Sequence, residues 1–394
     1  MTNDERREAR YQRRKAKRLA KKTAAMEEYD DYDKVFSYKH IRRSGERAMR
    51  GVKWKPSIQR FRALKGLRSY RIFKSVRSRT YKGKAPSEFD LHERGHVRHI
   101  KARYIDDRIV QKTLTDYSLT PAISRGFIYK NSASLMGKGY HFAIKAFRKD
   151  LSHFVRLHGT HGYILLFDFH AFFESIRQKV CNEHIAELYT DNDLIALYAQ
   201  LMAENGDSGF VAYGTRDGAT GLGLGSQVSQ ISALMVADPI DHVITNRECV
   251  NAYGRYMDDG YVLSDDKAFL QHCVDVILLM CQMYGIELSE KKTRIVKLTH
   301  SFTFLQKRFH VTRTGGIVMQ ISRSSATRER RKLKRIKKKI LSGSMTCQDA
   351  YNSYKSWEGY AKHGNSWSEI VKMRATYNLL FLDTPDDVDF AHWN

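Results

Sequence analysis

The chain has 394 residues, 42% of them hydrophobic, and its 68 Lys and Arg against 43 Asp and Glu leave a net charge of +25. That length allows a large core divided into two or three lobes, and the excess charge creates a long-range field attractive to nucleic acid or an anionic surface. The longest apolar runs, Tyr163–Phe167 and Val276–Met280, fall far short of the roughly 20 residues that cross a bilayer. The charged first residues lack the apolar core of a secretory signal. Five scattered cysteines (181, 249, 273, 281, 347) without CxxC spacing argue against a zinc cluster or a disulfide frame. A soluble, cytoplasmic protein with no membrane contact is expected, and no amphipathic helix with a broad apolar face competes with nucleic acid as the partner.

In chain order, residues 1–27 hold two basic clusters and few large apolar side chains. Such a stretch predicts a mobile or conditionally helical arm that either grips RNA or only solubilises the chain. Mixed helical patterns follow from Tyr29 to about Ser87, broken near Pro56 and Gly66. Glu93 to Ile100 reads as a turn entering a strand, and Asp106 to Leu114 as a helix with acids in its first turn, where they complement the dipole. Phe127 to Lys138 is loop-like and precedes a helix carrying Ala143, Ala146 and Phe147. Residues 162–167, Gly-Tyr-Ile-Leu-Leu-Phe, predict a strand buried on both faces that ends in Asp168.

Helical patterns run from about 174 to 204 and stop at Asn205-Gly206. Gly221 to Ser226 is a flexible backbone stretch without a Walker lysine, and a helix through Ser232–Ala237 follows it. The run Ala252 to Leu263 places Asp258-Asp259 between short arms rich in Tyr and Val, which predicts a β-hairpin with its acids at or near the turn. Asp265-Asp266 reads as a cap for an amphipathic helix over 268–284, in which Cys273 and Cys281 are small core residues. Two strands are expected after Thr293. From Ser322 the chain turns helical and basic, with nine Lys or Arg among the twelve residues Arg328–Lys339. Leu333, Ile336 and Ile340 give that helix one narrow docked face. Its remaining surface, with Arg328, Arg331, Lys334, Arg335 and Lys338, is a candidate polyanion-binding face.

Phosphoryl transfer onto a growing nucleic-acid chain needs two divalent cations about 3.5–4 Å apart. Mg²⁺ takes oxygen ligands, commonly a few carboxylates plus water and substrate phosphate. Asp168 at a strand end beside a hairpin carrying Asp258 and Asp259 supplies such donors. Three carboxylates brought together repel one another without metal, so the grouping points to function and not to a need of the fold.

Five motifs in order then resemble the bacterial reverse transcriptases of the group II intron, retron and diversity-generating retroelement superfamily, including unassigned and antiphage-defence members. They are Phe167-Asp-Phe-His-Ala-Phe-Phe-Glu-Ser-Ile176, Leu222-Gly-Leu-Gly-Ser-Gln-Val-Ser-Gln230, Tyr256-Met-Asp-Asp259, Leu288-Ser-Glu-Lys-Lys-Thr293 and Phe302-Thr-Phe-Leu305. Upstream, Asp107-Arg-Ile-Val-Gln111, Phe127 to Ala133 and Gly137-Lys-Gly139 resemble the fingers motifs. The resemblance implies an α+β right-hand polymerase. A basic arm over 1–27 precedes fingers over 28–160, an antiparallel-sheet palm over 161–310, and a strand pair with a helical thumb over 311–394.

It also implies roles. Asp168 and Asp258 bind two Mg²⁺ ions, with Mn²⁺ as a substitute, while Asp259 assists and Phe169 offers its carbonyl. Phe173 falls at the steric gate, where a flat ring selects deoxynucleotides, although a core Phe is the plain alternative because Phe172 and Phe173 are adjacent. Gly225 and Ser229 line the nucleotide and template pocket, and Lys292, with Lys291 a close second, reaches the triphosphate or donates a proton to pyrophosphate. Arg98 and Arg103 contact phosphate, with Lys101 and Arg108 as further candidates.

Two departures stand out: Gly223-Leu224-Gly225 replaces a Pro-Gln-Gly found in many relatives, a form closer to diversity-generating enzymes, and Gln306 stands where many have Gly. No ribonuclease H or endonuclease pattern is present, so intron mobility is not expected. The implied activity is RNA-templated DNA synthesis from dNTPs, with an RNA template that is a cognate noncoding RNA, a cDNA product, and room for oligomerisation. An RNA-synthesising or untemplated polymerase, and a catalytically silent RNA-binding module, are the alternatives.

Overall fold

Helix starts, strand pairs and turns fall close to where the sequence pattern places them in a computed structural model. It describes residues 26–93, 96–205, 220–223 and 225–381 together with Ala9 and Arg13. The basic arm expected over 1–27 lies almost wholly outside the described residues. After helical residues 26–29 come four helices: α1 (Tyr32–Val35), α2 (Tyr38–Ala48), α3 (Pro56–Ala63) and α4 (Lys65–Arg77). The antiparallel pair β1 (Ser87–Glu93) and β2 (His96–Ala102) follows, with Ser87 opposite Ala102. Glu93, expected in a turn, closes β1 instead.

Then come α5 (Ile105–Leu114), α6 (Thr120–Ile123), α7 (Tyr140–His158), β3 (Tyr163–His170), α8 (Phe172–Ser175), α9 (Gln178–Leu188), α10 (Asn192–Asn205) and α11 (Gln227–His242). The last part of the chain holds β4 (Tyr253–Tyr256), β5 (Asp259–Ser264), α12 (Lys267–Tyr284), β6 (Glu287–Leu288), β7 (Arg294–Lys297), β8 (Phe302–Phe304), β9 (Lys307–Val311), β10 (Ile317–Ile321), α13 (Arg323–Leu341), α14 (Cys347–Lys362) and α15 (Trp367–Phe381). Four strands therefore follow Thr293 where two were expected, because the short runs after His300 pair with one another as β8, β9 and β10.

Two compact units share these elements. The first comprises residues 1–143, 168–260 and 272–291, and the second 144–167, 261–271 and 292–394. In the first, α11 is the central element. Val228, Ile231, Leu234, Val236 and Ile240 on it are all buried, and it packs against α5, α8, α9 and α10. The Ser226 hydroxyl caps it by accepting from the Ser229 N–H at 3.4 Å, and Pro239 in its last turns leads into a π-helical turn at Val243–Arg247.

The second unit contains β3 residues Tyr163–Leu166 paired antiparallel with β7, and an aromatic cluster in which Phe147 meets Tyr261, Phe304 and Phe309 with ring centroids 4.8–4.9 Å apart. Its three C-terminal helices bury Leu333, Ile336, Tyr354, Trp357, Met373 and Tyr377 in one core. A capping box of Thr346 and Asp349 starts α14. Cys181, Cys273 and Cys281 are buried and all five cysteines are free. No described helix is long and apolar enough to cross a membrane.

Candidate active site

The strand expected to end at Asp168 continues to His170. Phe169 pairs with Leu288 of β6 and is 2% exposed, so apolar burial carries the strand past the acid. Asp168 itself is only 4% exposed. Its carbonyl accepts the Ser289 N–H at 2.8 Å, and the next N–H, of Phe169, donates to the Asp258 carbonyl at 3.2 Å. One peptide step therefore separates the first aspartate from a direct backbone link to the second.

Asp258 sits in the tight turn between β4 and β5, after Met257 at φ 57°. A non-glycine residue in that left-handed region costs roughly 1–2 kcal/mol, so something must hold it there. Asp259 is the first residue of β5, and both hairpin acids are half-buried. Burial and then the Asp258 charge raise the Tyr256 phenol above its ordinary range. Among the described residues no group of three or more His, Cys, Asp or Glu forms a self-sufficient metal cage. Carboxylate oxygens, with substrate phosphate and water completing the shell, are the kind of donor that Mg²⁺ takes.

Just past the first aspartate, Phe172 is buried against Phe169 with ring centroids 5.1 Å apart, whereas Phe173 is half-buried. Of the adjacent pair, Phe172 is the core residue. The backbone of this segment holds the glycine stretch: Leu222 N–H donates to the Phe173 carbonyl at 2.8 Å and Gly221 N–H to the Ile176 carbonyl at 3.0 Å. Gly221, Gly223 and Gly225 have φ of 89°, 61° and 112°, values open to glycine and strained for other residues. Ser229, expected to line the pocket, is fully buried and its hydroxyl donates to the Leu222 carbonyl. Its position two residues inside α11 makes it a support for the loop.

Gly225 borders an open cavity of about 590 Å³ in the first unit, lined also by Lys55, Arg60, Lys101, Arg103 and Arg108. Among the described residues the lining carries no acid, so the cavity suits a polyanion. Arg103, however, has a side chain only 4% exposed and paired with Glu204. It also donates to the backbone carbonyls of Glu204 and Lys84. Most of its hydrogen-bonding capacity is spent internally, a correction to its expected role as a free phosphate ligand. Arg98 lies on β2 opposite Leu91. Lys292, in the second unit, is exposed two residues before β7. Arg328, Arg331, Lys334, Arg335 and Lys338 are all exposed on α13.

Residues 86–308 match the family described as "Reverse transcriptase (RNA-dependent DNA polymerase)". The chain belongs to the reverse transcriptase family. This family comprises RNA-directed DNA polymerases, which are nucleotidyltransferases. Among solved structures the chain is similar to telomerase from Candida albicans in complex with the TWJ fragment of telomeric RNA. That pair shares 11% identity over 76% of this chain and 62% of the other, with a TM-score of 0.44. It is also similar to apo telomerase from Candida tropicalis, at 16% identity over 60% of this chain and 48% of that one, TM-score 0.41. The chain thus spans about half to three-fifths of the length of these structures. No curated protein matches it.

In this reverse transcriptase domain a buried polar network behind the hairpin had no counterpart in the sequence reading. Arg255 on β4 and Asp241 on α11 are 1% and 0% exposed. The guanidinium donates to Asp241 through Nε at 2.7 Å and Nη2 at 2.6 Å, and Tyr253 Oη donates to the same carboxylate at 2.6 Å. Burial is the largest single influence on the Arg255 guanidinium and lowers it, but the Asp241 charge, the hydrogen bonds to Asp241 and the neighbouring Tyr253 and Asp238 together outweigh burial and hold it above its already high range, while burial lifts the Tyr253 phenol. The available signal was a pair of acids, Asp238 and Asp241, inside an otherwise apolar helix pattern.

Proposed function

We propose that the chain copies RNA into DNA, with Asp168 and Asp258 holding two Mg²⁺ ions, Asp259 assisting, and the Phe169 carbonyl as a further oxygen donor. The observation that carries this reading is the Phe169 N–H bond to the Asp258 carbonyl at 3.2 Å. It ties the end of the first-aspartate strand to the Met257-Asp258 turn inside the segment that matches the family. The donor set is all oxygen, which suits Mg²⁺ and accepts Mn²⁺. Such ions, when bound, activate a primer 3′-hydroxyl and neutralise the triphosphate leaving group.

The chain's own residues position the reactants. The basic cavity beside Gly225, with Lys101 and Arg108, receives the triphosphate, Arg98 on the neighbouring strand assists, and the half-buried Phe173 ring crowds a ribose 2′-hydroxyl. Lys292, or Lys291 beside it, gives a proton to departing pyrophosphate. The exposed cations of α13 hold phosphates of the template and product strands. In the right-hand description these are fingers over 28–160, palm over 161–310 and thumb over 311–394. The template we infer is a dedicated noncoding RNA, copied to cDNA in a bacterial or phage defence or retroelement system.

Primer extension on RNA with dNTPs and Mg²⁺ tests the reading. Incorporation is expected, and Asp258→Asn abolishes it. A preference for NTPs, or products unrelated to the template, replaces it with an RNA-synthesising or untemplated polymerase. Strong RNA binding without incorporation on any template replaces it with a silent binding module. Phe173→Ala is expected to raise ribonucleotide use by roughly 10–100-fold, the scale on which a pocket rejects one added hydroxyl. Unchanged discrimination removes the gate assignment.

A further inference from the structure

We propose that Arg255 is a positioning residue: clamped by Asp241, its guanidinium fixes the peptide that joins Met257 to Asp258 and so aims the second metal-holding carboxylate. The inference rests on the reading of Asp258 as a metal ligand. The third arm of the guanidinium, Nη1, donates to the Met257 carbonyl at 2.8 Å. That oxygen belongs to the same peptide plane as the Asp258 N–H, and Met257 is the residue held at φ 57°. The fork therefore grips the one strained residue of the turn.

The clamp is itself held by further bonds. The Asp241 carboxylate accepts Arg255 Nε and Nη2, Tyr253 Oη, and, at 3.4 Å, Asn131 Nδ2. The Arg255 main chain is held on both sides, its N–H donating to Lys130 at 3.3 Å and its carbonyl accepting from Ser132 at 3.1 Å. The Arg255 side chain, its main chain and the carboxylate it pairs with are thus all hydrogen-bonded within the first unit. A buried ion pair is often no more stabilising than an apolar pair of the same shape. Stability therefore gives little reason for one here, whereas a bidentate fork with a third, divergent donor is a geometry that only arginine supplies. Because the Asp258 carbonyl also accepts the Phe169 N–H, rotation of the turn displaces Asp258 from Asp168 as well.

Two variants and a metal-binding measurement test the inference. Arg255→Met with Asp241→Leu removes both charges together and retains bulk. Arg255→Lys keeps the charge and loses the fork. In the full chain bound to an RNA template and DNA primer, each is expected to keep template-primer affinity near that of the unmodified chain. Single-turnover incorporation should fall about 100-fold, the cost of roughly 1 Å of misplacement at a reacting centre. Mn²⁺ binding, read by electron paramagnetic resonance without any turnover, should weaken about 10-fold, as when a partner that orients a metal ligand is removed. Normal incorporation and normal Mn²⁺ affinity in either folded variant overturn the proposal. If the double variant does not fold, Arg255→Lys decides alone, and a failure of both to fold makes Arg255 a requirement of the fold and overturns the positioning role. Asp258→Asn with full activity removes the underlying metal reading instead, which separates the two failures.

Discussion

Arginine is used in two opposite ways in this chain. On β4, Arg255 is 1% exposed, saturated with hydrogen bonds and paired with an equally buried carboxylate. On α13, Arg328, Arg331 and Arg335 share a surface with Lys334 and Lys338 and stand in solvent, while Leu333 and Ile336 on the same helix dock into the core. A buried ion pair holds its partners through directed, charge-assisted hydrogen bonds and so fixes geometry, whereas exposed charges in water form a diffuse field that salt screens beyond about a Debye length. The same side chain therefore serves precision in one unit and attraction in the other.

Single substitutions should expose this difference most strongly in stability. Asp241→Ala leaves the Arg255 charge buried and uncompensated, and is expected to cost about 3–5 kcal/mol in denaturant unfolding. A loss under about 1 kcal/mol contradicts the pairing. Changing Arg328, Arg331, Lys334, Arg335 and Lys338 to Gln should leave stability within about 1 kcal/mol but lower RNA affinity in a salt-dependent way. The slope of log affinity against log salt is expected to become shallower by roughly 0.7 for each single-strand phosphate that α13 no longer neutralises, and an unchanged slope removes α13 from the interface.

The smallest expected effect comes from Asp238, an intermediate case. Its side chain is 19% exposed. Burial first and the Asp241 charge second push its carboxyl up to about 6 from an ordinary 3.8. The folded chain thus favours the protonated form, so the associated stability is full below pH 3.8 and is lost as pH rises through 6. Asp238→Asn should be more stable than the parent at about pH 7.5 by on the order of 1–2 kcal/mol, with the difference closing toward about pH 4. A variant less stable at the higher pH reverses the sign and refutes this account.

Much of the architecture was legible in local pattern. The apolar run before Asp168 became β3, the Tyr-rich arms around Asp258 became β4 and β5, and the three-and-four spacing of Leu333 and Ile336 became the docked face of α13, because each depends on neighbours within a few residues. Side-chain fates that depend on distant partners were not legible. Arg103 looked like a phosphate ligand until Glu204, 101 residues away, took its guanidinium. Ser229 looked like a pocket residue until the carbonyl of Leu222 claimed its hydroxyl. Arg255 carries no local mark beside the acids it flanks, since its partner Asp241 lies on a separate element, α11. The lining of the basic cavity by Lys55 and Arg60 likewise needed the fold.

The cysteines have a practical consequence. Burial pushes the thiols of Cys181 and Cys281 up to about 12 and that of Cys273 up to about 11, so they hold too little thiolate to react near neutrality. Cys249 is exposed in the first unit and Cys347 partly so in the second. Mild maleimide treatment should therefore label these two, one chromophore per unit, without any engineered residue.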